Sequence, residues 1–223
     1  MTRDTAARSA LVYAALSAFV VLTAIVVRSV PAGPLANALA LPIVAFVIGA
    51  GVIGLLLMRR AGIPAVLDPN VTARWRFAVP GIAGVAFGFM TVLHSLLAPG
   101  HTPVTPFPIS ILVFAAGGIM LEVLLRLVGI TVPTALFGTL GPKARTAAFW
   151  VAAVVTSLYE PLPFIFDAVH GHASPLLIAL RLFLFNLTGA LFYRKAGLLS
   201  ALSERWAEYG VWHIIGQSLF KLQ

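Results

Sequence analysis

The feature that most constrains this chain is a series of long runs without charge. Ala10–Val27, Ala36–Met58 and Phe77–Ala98 contain no Asp, Glu, Lys or Arg. Three further apolar runs, Ile109–Ile130, Thr146–Phe166 and Pro175–Tyr193, contain one or two charges each. A bilayer core about 30 Å thick takes about 20 apolar residues per helix. Inside it the backbone must satisfy its own hydrogen bonds, which leaves helices as the natural form for such runs. Gly197–Ile215 is a seventh and weaker candidate, because it carries Glu204, Arg205, Glu208 and His213. The expected fold is therefore all-α, a polytopic transmembrane bundle of about seven or eight helices, forming a single integral membrane domain over residues 1–223.

Composition agrees. Hydrophobic residues make up 60% of the 223 residues and charged residues 10%, with mean hydropathy +1.01. An average soluble domain carries about 25% charged residues, so too little polar surface exists to cover a water-soluble globule. The absence of cysteine excludes disulfides, thiolate nucleophiles and cysteine metal sites. A net charge of +8 would suggest nucleic acid in a soluble protein. Here the basic residues sit in short clusters between apolar runs, so no nucleic-acid partner is expected.

Those clusters give an orientation. Arg3 and Arg8 precede the first run; Arg59, Arg60, Arg74 and Arg76 follow the second; Lys143 with Arg145, and Arg194 with Lys195, fall two runs apart thereafter. The stretches Pro99–Pro108 and Ala168–Ser174 have no Lys or Arg. The positive-inside rule then places the N-terminus in the cytoplasm and Pro99–Pro108 outside, in what is expected to be the cell membrane. Arg28 stands alone against this and is read as a snorkelling arginine at a helix end. The first run is too long for a signal h-region and has no small-residue cleavage site near Arg28, so it is expected to be retained.

Charges within the runs are costly, about 2.5–3.5 kcal/mol each at the bilayer centre on insertion scales. They are expected to pair or to line a polar cavity. Glu122 and Arg126 are four residues apart and share a helix face, as do Glu204 and Glu208. Counting about 1.5 Å per residue from the inner boundary puts Glu122 and Glu204 at a common depth of about 10–12 Å. Asn186 needs a hydrogen-bond partner in lipid, and Gly189 three residues on permits close helix approach. Clustered carboxylates require protons, arginine or a cation, with Arg126 and Arg205 the nearest arginines in sequence. Two readings of Gly197–Ile215 remain open: a seventh membrane span facing the cavity, or an amphipathic helix lying flat with Leu198, Leu202, Trp206, Tyr209 and Trp212 in lipid and its glutamates in water. His94 reads as a core histidine. His170 and His172 read as solvated loop residues, two ligands being too few for a metal.

Three stretches carry a resemblance. Gly117-Gly118-Ile119-Met120-Leu121-Glu122-Val123-Leu124-Leu125-Arg126, then Thr156-Ser157-Leu158-Tyr159-Glu160-Pro161-Leu162-Pro163, then Asn186 through Ala201 occur in that order. Their order and spacing resemble the CPBP intramembrane proteases, a family named for CAAX and bacteriocin processing, over about residues 75–215. The resemblance implies a helical bundle with a hydrophilic intramembrane cavity, and candidate site residues Glu122, Arg126, Glu204, Glu208 and Asn186. In that family a glutamate and a histidine activate water, while another histidine and an Asn or Asp stabilise the oxyanion.

This sequence departs from that pattern. Leu121 stands at the first glutamate of E-E-x-x-x-R. Tyr159 and Pro163 align with F-x-x-x-H, and Glu204 and Glu208 with H-x-x-x-N/D. The resemblance thus implies a non-proteolytic relative acting as a membrane scaffold or binding protein, with the bilayer and a membrane or prenylated peptide as partners. One alternative is an active peptidase in which Glu122 works with a histidine in another register, His213 with Gln217 or Phe166 with His170. Another is an ion- or lipid-handling protein, although no inverted repeat is evident. No cofactor is expected. A divalent cation held by Glu122, Glu160, Glu204 and Glu208 stays open.

Overall fold

The structure, a computed structural model, describes residues 3–29, 37, 39–97, 107–169 and 175–216. His170, His172, Gln217 and most of Pro99–Pro108 lie outside the described residues. The described secondary structure is helical without strands: α1 (Arg3–Arg28), α2 (Leu41–Ala61), α3 (Val79–Leu97), α4 (Ile109–Glu122), α5 (Thr131–Phe137), α6 (Pro142–Ser157), α7 (Leu162–Val169), α8 (Pro175–Ala196) and α9 (Leu198–Tyr209). Three π-helical turns extend these, Arg74–Ala78 before α3, Val123–Val128 after α4 and Gly210–Gly216 after α9.

Five helical segments among the described residues are long and apolar enough to cross a membrane: Asp4–Arg28, Leu41–Ala61, Arg74–Leu96, Ile109–Leu140 and Leu176–Ala196. Their outward faces are apolar. Leu11, Phe46, Leu56, Ile82 and Phe89 are all exposed, Leu56 by 75%. A soluble protein rarely exposes so much contiguous apolar surface; acyl chains are the solvent that suits it. The largest fully buried side chains, by contrast, are Arg126 and Arg205.

Three expectations need correction. The fourth run does not stop near Ile130: after a turn the chain continues as α5 and a short 3-10 turn to Leu140. The fifth run is not one helix. It breaks at residues 158–161 between α6 and α7. Pro161 lacks an N–H and disfavours helical geometry in the residue before it, so Glu160 falls at the break. Neither expected form of Gly197–Ile215 is found: it is not among the five segments long and apolar enough to cross, and the flat, lipid-facing reading also fails. Leu198, Leu202, Glu204, Arg205 and Glu208 on α9 are buried, while Trp206 is partly exposed and donates its indole N–H to the Ala115 carbonyl of α4 at 3.1 Å.

α9 is reached through Gly197, whose φ of 82° lets the chain turn sharply off the end of α8. It packs most extensively against α3, and also against α8 and α4. Gly84 makes the α3 contact possible, since a Cβ there would collide with the Glu204 carbonyl and the Ala207 side chain. α1 packs on α4 and α2, and α2 on α5 and the π turn after α4. The apolar core thus spreads from α1 and α2 towards α9, and the charges concentrate where α4, α8 and α9 meet.

Candidate functional site

Glu122 ends α4, and Arg126 lies in the π turn that follows, where the Gly129 N–H reaches back five residues to the Leu124 carbonyl at 2.8 Å. Such wide turns are rare overall but frequent at functional sites. The expected i,i+4 pair is present: Arg126 Nε donates to Glu122 Oε2 at 3.0 Å. The other carboxylate oxygen is also held, because Arg205 Nε donates to Glu122 Oε1 at 2.6 Å. Glu122 and both arginines are at most 1% exposed.

Arg205 is the hub. Its Nη1 and Nη2 grip Glu160 at 3.2 and 3.0 Å, and Nη2 also donates to Asn186 Oδ1 at 2.8 Å. Its planar fork suits this simultaneous grip, which a lysine could not reproduce. Asn186 finds the partners its depth demands: its carbonyl accepts from Arg126 Nη2 at 2.8 Å and its amide donates to the Leu182 carbonyl. Deeper along the same face, Thr131 donates to the Arg126 carbonyl and shares a 2.5 Å hydrogen bond with the buried Tyr193 hydroxyl.

The two α9 glutamates divide. Glu204 faces Arg126: a Cβ on Gly189 would stand 2.7 Å from Arg126 Nη2 and 2.9 Å from Glu204 Oε2. Its Oε1 is buried without a hydrogen-bond partner, as is Arg126 Nη1. Glu208, one turn on, belongs to a second cluster, where its Oε1 accepts from Thr91 Oγ1 at 3.3 Å and from Arg181 Nη1 at 3.4 Å. Arg181 also donates to the Thr91 hydroxyl. Glu122, Arg126, Glu204 and Asn186 therefore do converge, with Glu208 about one helical turn away.

The carboxylates do not form a metal cluster. Among the described residues no group of three His, Cys, Asp or Glu stands close enough to hold an ion. Each of Glu122, Glu160 and Glu208 instead meets a guanidinium. The ion pairs among the described residues join arginine to glutamate, without a histidine. His213, the histidine of the alternative peptidase register, is stacked on Phe114 at 3.4 Å between centroids and lies against Trp212. Its Nδ1 is buried and unpaired. His94 is half-buried on the wall of a cavity and not in the core.

Two cavities flank this lattice. The first, of about 570 Å³, is mostly apolar, with Val47, Val113, Met120 and Leu124 on its walls and Glu160, Arg205, Glu208 and His213 supplying its polar groups. The second, of about 900 Å³, runs past Thr91, His94, Ser95 and Arg181. Both include Tyr159, Glu160, Leu182 and Trp212, so they adjoin at the break between α6 and α7. Apolar cavities of this size with a few convergent polar groups are typical of small-molecule sites.

Sequence reasoning under-reads Arg205, Arg181 and Glu160. The signal for them is their charge at membrane depth, but spacing alone does not reveal partners 83 or 45 residues away. Comparison with protein-family models, curated proteins and solved structures finds no match to this chain.

Proposed function

We propose that this chain is a CPBP-like integral membrane protein of the cell membrane, with its N-terminus cytoplasmic, that binds an amphiphile in its intramembrane cavity and does not cleave peptide bonds. The observation that carries this reading is the state of Glu122, whose two carboxylate oxygens are each held by an arginine. A general base must accept a proton from water within hydrogen-bond reach. A carboxylate clamped on both oxygens, with no histidine in its ion pairs, is suited to holding helices together. The apolar cavity beside it supplies the binding role, and an acyl or prenyl chain, free or on a peptide, is the kind of ligand its walls accommodate.

The test uses purified protein in detergent and a panel of prenylated and membrane peptides. The wild type and the Glu122→Ala variant should both leave the panel uncut. A fluorescent prenylated peptide should bind saturably, and Leu124→Trp, which fills the cavity, should weaken it at least tenfold. Cleavage by the wild type that Glu122→Ala abolishes would overturn the proposal in favour of a peptidase.

A further inference from the structure

We infer that the cavity is selective for amphiphiles with a positively charged headgroup, seated where Glu160 and Glu208 meet Tyr159, Trp212 and His213. This rests on the amphiphile-binding reading above and specifies the ligand class.

The charge on the cavity wall points this way. Two glutamates, Glu160 and Glu208, and one arginine, Arg205, line the 570 Å³ cavity. Arg205 is not free for a ligand, because its fork is divided among Glu122, Glu160 and Asn186. An anionic headgroup would have to displace Glu160 and then face it. Glu160 and Glu208 are already paired with Arg205 and Arg181, but a carboxylate accepts several hydrogen bonds, so a cation can join them where an anion would meet both.

Access singles out Glu160. It is the most exposed carboxylate of the lattice, with 20% of its side chain accessible, against 2–3% for Glu122 and Glu208. It sits at the proline break, where the two cavities adjoin, beside exposed Tyr159 and half-buried Trp212. Aromatic faces next to a carboxylate attract ammonium groups by cation–π contact. Phe185 and Tyr209 already serve Arg205 in this way, with its guanidinium carbon 5.1 and 5.7 Å from their centroids. Tyr159 and Trp212, which line both cavities with Glu160, are the aromatic residues offered to a ligand.

A second, independent observation also points to a ligand. His213 lines this cavity, is 7% exposed and has an unpaired Nδ1. An unsatisfied polar group in such a place has a hydrogen bond to offer. An ammonium N–H can meet both a carboxylate and a neutral imidazole, and the apolar walls take the chain.

The experiment measures equilibrium binding of three probes of equal chain length to the full protein in nonionic detergent: an alkylamine, the alkanol and the fatty acid. The alkylamine should bind about tenfold more tightly than the alkanol, about 1.4 kcal/mol, and the fatty acid most weakly. Glu160→Gln should abolish the amine preference, the alkylamine and the alkanol binding this variant with equal affinity. Trp212→Leu should reduce the amine preference without involving a buried charge, so the inference stays testable if Glu160→Gln does not fold. Equal binding of all three would overturn the charge selectivity and leave amphiphile binding standing. Tightest binding of the fatty acid would overturn it by assigning the headgroup to Arg205. Saturable binding of none would remove both readings.

Discussion

At the scale of single residues, the lattice explains which substitutions this interior tolerates. Arg126 and Glu122 are buried and bonded at 3.0 Å. Removing one partner of a buried ion pair costs about 3–5 kcal/mol, because the other charge is left uncompensated. Arg126→Leu should therefore lower thermal stability in detergent sharply, whereas combining it with Glu122→Gln should recover much of the loss. A thermal-shift series on the three variants checks this, and equal losses in the single and double variants would show that the charges are not coupled. Gly189 is the steric counterpart. A methyl there meets Arg126 Nη2 and Glu204 Oε2 at under 3 Å, so Gly189→Ala should cost about 1–3 kcal/mol by overpacking, read as a lower melting temperature.

At the scale of elements, α9 decides how the bundle is read. The chain has no cysteine, so single introduced thiols report cleanly. A cysteine at Trp206 should react with a membrane-soluble maleimide, and one at Ser200, which is buried and bonded to the Phe192 and Gly197 carbonyls, should not. Equal labelling at both positions would return α9 to the membrane surface. The i,i+4 pair of Glu122 and Arg126 was legible from sequence, because it follows from helix geometry alone, whereas the depth count for Glu122 and Glu204 starts from a helix end at Ile130 that the run to Leu140 does not have. The role of Arg205 was not, because spacing places Glu204, Arg205 and Glu208 on α9 but not against α3, α4 and α8. The break at Glu160 was obscured for a different reason: hydropathy averaged over Thr146–Phe166 stays high across it, although Pro161 and Pro163 mark the place.

At the scale of the whole molecule, the basic clusters gather at one end. The Leu67 N–H bonds Ser9 Oγ near the start of α1. Lys195 Nζ lies 3.0 Å from the Trp75 ring centroid, and Arg194 stacks over Phe149 and Trp150. The Arg145 guanidinium packs beside Gly62 at the end of α2. Cysteines at Lys143 and Lys195 should accordingly be labelled by a membrane-impermeant reagent from the same side. Opposite-side labelling of 143 and 195 would break the topology.

The distribution of polarity has one more implication, for how separable this molecule is from its solvent. Leu11, Phe46, Leu56 and Ile82 form an outer skin, whereas the charged groups that lock α4, α8 and α9 together lie inside and bond to one another and to Glu160 at the proline break. The skin therefore carries none of the specific pairing. Replacing it with lysine, glutamate and glutamine should yield a water-soluble copy with the same internal wiring, recognisable by an unchanged helical circular-dichroism spectrum without detergent.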